Sequence, residues 1–176
     1  MVFVEKLKIF MDVFTAIFNT HYLFLSENAE HVELTYESQL LEDDFPSLLK
    51  KSIEKDRALE RTTAGIHKDD LHFAIHGMPV KKFGSQGQQK SFLIALKLAQ
   101  YTFLTNEKGF KPLLLLDDIF DKLDDKRVAK LMQMVSDNDF GQVFITDTSA
   151  NRVQDIFSEI GVEVKLFNVA GGEINA

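Results

Sequence analysis

An α/β fold, a mostly parallel sheet with helices on its faces, is predicted by three features of this 176-residue chain. From residue 84 onward the pattern reads loop, long helix, apolar strand, helix, apolar strand, helix, strand, the alternation that parallel sheets require. Leu113 to Leu116 and Val143 to Ile145 are unbroken apolar runs of strand length. With 45% of its residues apolar and 27% charged, the chain can bury one sizeable core and is short for two independent domains.

Each element has its own signal. Phe3, Leu7, Phe10, Phe14 and Ile17 share one stripe of a helix over residues 2–20. That pattern begins at Met1 with no capping residue ahead of it, which is expected if the helix is cut into and the chain is the downstream part of something longer. Val32, Leu34, Tyr36 and Leu40 alternate with polar residues and predict a strand with one dry face. Pro46 suits a first helical turn, and Leu48, Leu49 and Ile53 behind it predict a helix over 46–60. Leu71, Phe73 and Ile75 alternate again before the turn His76-Gly77-Met78-Pro79, a hairpin pattern.

In the second half, Phe92, Leu96, Ala99 and Phe103 define the long helix, and Val128, Leu131, Met132 and Val135 the next. A helix carrying Val153, Ile156 and Ile160 runs to Gly161. Val162 to Val169 is expected to be a further, edge strand of the sheet.

Composition removes several classes of function. The chain has no cysteine, so disulfides, thiolate zinc sites and cysteine nucleophiles are excluded, and any metal must be a hard ion held by oxygen. No apolar run of membrane-spanning length occurs, and Glu5, Lys6 and Lys8 do not fit a signal peptide, so a soluble, cytoplasmic protein is expected. The net charge of −7 argues against a nucleic-acid clamp built on bulk positive charge. Its distribution is uneven: −6 over residues 1–60, +4 over 61–110 and −5 over 111–176. A polyanion would therefore favour the middle, unless these are simply solvated faces.

A helix tip and three polar loops carry the chemistry. Ser85 can cap the long helix while Gln88 returns the bond, and Gly87 leaves the first turn open to close approach by an anion; a plain capped helix is the alternative. Leu113 to Leu116 end abruptly in Asp117 and Asp118, at the carboxyl edge where α/β folds bind ligands. One such carboxylate can hold Mg²⁺ while its neighbour faces a reacting group, although paired aspartates also cap helices. Asp124 opens the following helix, and Thr146-Asp147-Thr148-Ser149 again sets small polar groups at a strand end. Convergence of these last three loops, at Asp117-Asp118, Asp124 and Thr146 to Ser149, on one edge is harder to explain by capping alone.

Taken together these residues carry a resemblance. Ser85-Gln86-Gly87-Gln88-Gln89 resembles the signature motif of ABC-type ATPases, Leu113 to Asp118 looks like their Walker B strand, and Asp121 to Asp124 is similar to the D-loop. With Gly65-Ile66-His67-Lys68-Asp69-Asp70 and the run Phe83 to Lys90 added, the chain resembles the RecF family, bacterial recombination and gap-repair ATPases related to SMC proteins. The resemblance is strong over 61–150 and weaker elsewhere. Each motif is common by itself, but the ordered set at this spacing is specific.

The resemblance implies the C-terminal part of an ABC/SMC-type head over residues 83–176, preceded by arm-proximal helices and strands of lobe II over 1–82. It assigns Mg²⁺ to Asp117 and the water-orienting acid to Asp118, where many ABC ATPases have glutamate, so hydrolysis would be slow. Ser85, Gln86, Gly87, Gln88 and Gln89 would meet the γ-phosphate of ATP held by a second RecF-like subunit, and Asp124 would lie in the dimer seam. The implied partners are duplex DNA at single-strand gaps and RecR/RecO-type mediators. Lys81, Lys82, Lys90 and Lys97 are the phosphate candidates of the basic middle.

Two departures stand out. Where relatives carry a switch histidine this chain reads Thr146-Asp147, and since an anion cannot donate to a phosphate, Thr146 is the better candidate. No G-x-x-x-x-G-K-[ST] occurs, so the sequence holds the second half of an ATP site without the P-loop. Together with the uncapped first helix, this is expected of the downstream half of a longer protein, inactive as an ATPase by itself. Two rivals remain at this point: a receiver-like phospho-acceptor domain, against which the 112 residues before Leu113 count, and a non-enzymatic scaffold using the first helix for docking.

Overall fold

The computed structural model describes residues 2–27, 30–117, 120, 123–137 and 139–175, with the side chains of Val2, Phe3, Asp125 and Asn175 left out. Two long helices form its spine. Helix α1 (Val2–Leu25) lies along α4 (Gln86–Lys108), and the core between them is aromatic. Phe18 and Tyr22 are fully buried, and Phe18 meets Phe92 of α4 at 4.6 Å between ring centroids. Phe10 meets Phe103 edge to face at 5.0 Å.

The buried line of α1 is Val4, Met11, Phe18, Tyr22 and Leu25, one position round from the predicted stripe, whose Phe10, Phe14 and Ile17 are half-buried on its flank. The helix is apolar over more than half its girth, so periodicity locates its wet side better than the centre of its dry one. Phe3 of the predicted stripe falls among the side chains left out.

Against this pair rests an antiparallel sheet of β1 (Val32–Glu37), β2 (Asp70–Ile75) and β3 (Met78–Pro79) in that order, with Val32 opposite Ile75 and Glu37 opposite Asp70. The predicted hairpin is β2–β3, turned by His76 and Gly77, both at positive φ. Helix α2 (Phe45–Leu59) starts on an Asp44 cap with Pro46 in its first turn. A short helix α3 (Val80–Phe83) leads through Gly84 into α4.

The second half supplies β4 (Leu114–Asp117) and β5 (Val143–Thr146), paired in parallel with Asp117 opposite Thr146. Helices α5 (Asp125–Ser136) and α6 (Ala150–Glu159) pack on each other, and α5 also on α1, burying Leu131, Met132 and Phe157 in the core. The predicted edge strand over 162–169 does not form as expected. Residues 162–167 have no regular structure, and β6 (Asn168–Ala170) pairs antiparallel with β7 (Glu173–Asn175) in a separate hairpin. Gly171 and Gly172, both at positive φ, turn that hairpin locally, and a local turn wins over a distant sheet edge.

Apolar run and buried strand also part company. Leu114 is buried, yet Leu113 is 62% and Leu115 72% exposed, because the described residues place no layer over that face. No helix among the described residues is long and apolar enough to cross a membrane.

Candidate functional site: a helix tip and an acid-tipped strand

Helix α4 begins on the predicted capping box. The Gln88 backbone N–H donates to Ser85 Oγ at 3.2 Å, and Gln88 Oε1 accepts the Ser85 N–H at 2.8 Å. Gln89 Nε2 donates to the Gly84 carbonyl at 2.8 Å, which fixes the entry of the chain into the helix. Ser85 and Gln86 are exposed. The box does not engage the N–H groups of Gln86 and Gly87, and the cap uses Ser85 Oγ only as acceptor, which leaves its proton to give. An open tip on a 23-residue helix is chemically suited to an anionic oxygen.

At the carboxyl end of β4, Asp117 is exposed and accepts a hydrogen bond from Thr146 Oγ1 at 2.5 Å across the parallel pair. The structure thus joins these two predicted residues at one rim. Asp118, the predicted catalytic acid, lies outside the described residues, as do Asp121 and Lys122 of the D-loop-like turn. No group of three or more acidic or histidine side chains among the described residues could hold a metal ion. A single exposed carboxylate such as Asp117 is the kind of protein ligand Mg²⁺ takes, since that ion is commonly held by one or two carboxylates.

Asp147 is turned inward with its side chain fully buried, 3.8 Å from the Arg152 guanidinium, and it accepts from the Ser149 N–H at 2.6 Å. It thereby braces Ser149, the N-cap of α6.

Asp124 is the N-cap of α5. It accepts from the Arg127 N–H at 3.0 Å and from Arg127 Nη1 at 2.5 Å. Burial raises its pKa, but the hydrogen bonds and charge of Arg127 outweigh that and hold the carboxyl below the ordinary range.

The four lysines divide into two sets. Lys81 and Lys82 are exposed on α3, with Lys82 Nζ 5.5 Å above the Phe83 ring. Lys90 and Lys97 instead line an apolar groove of about 390 Å³ between α4 and β4, whose wall runs from Pro112 to Asp117.

Two residues that sequence reasoning missed join these pieces. Glu30, just before β1, accepts from Gln88 Nε2 at 3.2 Å, from Arg127 Nη2 at 3.3 Å, and from the Tyr22 hydroxyl, which keeps its proton. Burial and the bond to Glu30 push the Tyr22 pKa well above its usual value. Glu30 and Arg127 are 97 residues apart, and no local pattern in a single sequence announces such a pair. The capping aspartate three residues before Arg127 was the one available hint.

No family model matches the chain. Curated relatives do. The "DNA replication and repair protein RecF" of Flavobacterium johnsoniae is 54% identical over 165 residues, 94% of this chain and 46% of that protein. The proteins of the same name from Parabacteroides distasonis and Bacteroides thetaiotaomicron are 46% and 43% identical over 97% of this chain, covering 47% and 46% of their own length. The chain spans about half the length of the curated relatives it matches. Two solved structures, "the recombination mediator protein RecF-ATPrS in RecFOR pathway" and its RecF-ATP counterpart, share the fold at a TM-score of 0.71 and 23% identity, over 96% and 98% of this chain and 44% and 45% of theirs. An exposed capped tip, an acid-ended parallel strand and a relative more than half identical agree on one assignment: the chain belongs to the RecF family and corresponds to the C-terminal half of its members.

Proposed function

We propose that this chain is the part of an ATP-binding DNA repair protein that closes over nucleotide held by a second subunit, so that ATP joins two copies. The observation that carries the reading is the exposure of two features, the Ser85–Gln89 tip and the Asp117 rim, that nothing in the chain's own fold requires to be open. Ser85, Gln86 and Gly87 bind the γ-phosphate through a hydroxyl and helix N–H groups, while Gln88 and Gln89 hold the tip in shape. Asp117 would hold Mg²⁺, with the Thr146 hydroxyl orienting its carboxylate. Bound there, the ion supplies charge neutralisation between phosphates. Asp118 orients the attacking water, and its short side chain makes turnover slow. Asp124 sits at the seam between subunits.

The N-terminal half of the family supplies the P-loop and covers the exposed apolar face of β4. Duplex DNA at single-strand gaps is bound weakly through phosphate contacts, with Lys81 and Lys82 the better placed of the four lysines. RecR/RecO-type mediators and a cytoplasmic setting complete the reading.

The test has two arms. This chain alone does not hydrolyse ATP, and turnover abolished by Asp118→Asn would refute that. Extended by the N-terminal half of the RecF proteins, it forms an ATP-dependent dimer that Ser85→Arg abolishes; sedimentation showing dimers indifferent to that change contradicts the reading. DNA affinity falls steeply between about 50 and 200 mM salt, and a salt-independent affinity counts against phosphate contacts.

A further inference from the structure

Arg127 is the hub of a polar chain that runs from the tip of α4 to the cap of α5. Its Nη1 bonds Asp124 at 2.5 Å, and its Nη2 bonds Glu30 at 3.3 Å. The same Glu30 oxygen accepts from Gln88, whose own amide oxygen and N–H close the capping box on Ser85. Nη1 also lies 3.7 Å from where a side chain at Gly87 would begin. Asp124, Arg127, Glu30, Gln88 and Ser85 thus form one continuous path. It connects the two loops that, under the proposed function, both face the neighbouring subunit.

Stability alone does not explain this arrangement. Side-chain exposures of 17% for Arg127 and 15% for Glu30 mean that both charges are largely desolvated, and such a pair gains little over well-packed apolar residues. A guanidinium beside a helix N-terminus also opposes the helix dipole. What the pair provides is geometry, because a planar fork can hold two carboxylates in fixed relation.

We propose that Arg127 is a positioning residue, which locks the Ser85–Gln89 tip and the Asp124 turn into one rigid jaw for pairing with a second copy. The inference rests on the ATP-dependent pairing proposed above. Arg127 has Asp124 and Glu30 as its side-chain partners and acts through them and Gln88. Its removal therefore spares nucleotide binding within a subunit and weakens the closing of two subunits.

The test uses this chain extended by the N-terminal half of the RecF proteins, comparing wild type, Arg127→Met, Arg127→Lys and Ser85→Arg. Two quantities are read: ATP affinity at protein concentrations too low for pairing, and the dimer dissociation constant with ATP. Both Arg127 variants are expected to bind ATP within about twofold of wild type and to dimerise at least about fivefold more weakly, as for partners coupled through one network. Lysine does not rescue, because one ammonium cannot span both carboxylates in the guanidinium geometry. A purely structural role would lower ATP affinity and dimerisation together, and that outcome overturns the inference. So does dimerisation less than about fivefold weakened in either variant while Ser85→Arg abolishes it, with the pairing reading left standing. Absence of an ATP-dependent dimer in wild type, or indifference to Ser85→Arg, overturns both. Should Arg127→Met fail to fold, Arg127→Lys decides on the same thresholds.

Discussion

Gly84 and Gly87 stand three positions apart and differ in what a methyl group would meet. A Cβ at Gly84 falls 2.7 Å from the Val80 carbonyl oxygen, which is backbone and cannot swing away, so the turn itself would shift. Gly84→Ala is expected to cost about 1–3 kcal/mol and to show as a lower Tm. At Gly87 the nearest atom is Arg127 Nη1 at 3.7 Å, an ordinary contact. Gly87→Ala should leave Tm unchanged or raise stability by up to about 1 kcal/mol, since alanine loses less entropy in a helix. Any loss of ATP-dependent pairing in that variant would then report a ligand approaching the bare face; unchanged pairing would remove Gly87 from the contact. Asp124 gives a pH test. Its folded pKa is depressed, so its contribution is present above the unfolded value of about 3.9 and is lost as pH falls through the lower folded one. Asp124→Asn keeps a capping side chain but not the charge, and should flatten the loss of stability in urea titrations below about pH 4.

The pairing of α1 with α4 sets the stability of the first half, and its aromatic seam is where substitution should tell most. Phe18 is fully buried against Phe92, so Phe18→Ala should cost about 3–5 kcal/mol, a large share of the stability of any domain. A midpoint of denaturation near wild type would mean that the two helices do not pack as described. The same interface carries a titrating group. His21 bonds Thr102 at 2.8 Å, and burial lowers its pKa, with the charge of Asp139 acting in the opposite sense. The unfolded imidazole takes its proton near pH 6.5 while the folded one resists, so this contribution is complete above about pH 6.5 and declines as pH falls through that value toward the folded pKa. His21→Gln should remove that part of the decline, as read from denaturation midpoints between about pH 7 and 5.

For the molecule as a whole, the exposed rim is the feature that bears on behaviour in solution. Leu93, Leu113, Leu115 and Phe144 are 58%, 62%, 72% and 46% exposed around the groove and the open face of the parallel pair, and surfaces of that kind drive association. Leu115→Glu should raise solubility and reduce concentration-dependent self-association while shifting stability by no more than about 0.5 kcal/mol, the usual scale for an exposed position. A large loss of stability would show that Leu115 is packed rather than presented.

The sequence by itself determined the elements and their caps. Ser85 with Gln88, Asp124 and Pro46 are local signals, because a helix terminus is satisfied within about four residues of itself. It also determined the parallel pair and its acid tip, since two apolar runs ending in polar residues allow few other arrangements. Tertiary structure alone decided the rest. Which line of α1 is driest depends on the surface it meets. The C-terminal hairpin is different: its Gly171-Gly172 turn is a local signal that the apolar pattern of 162–169 had masked. Glu30 and Arg127 became partners because folding brought together positions 97 residues apart, and a charge pair of that kind leaves no periodic trace in the chain that encodes it.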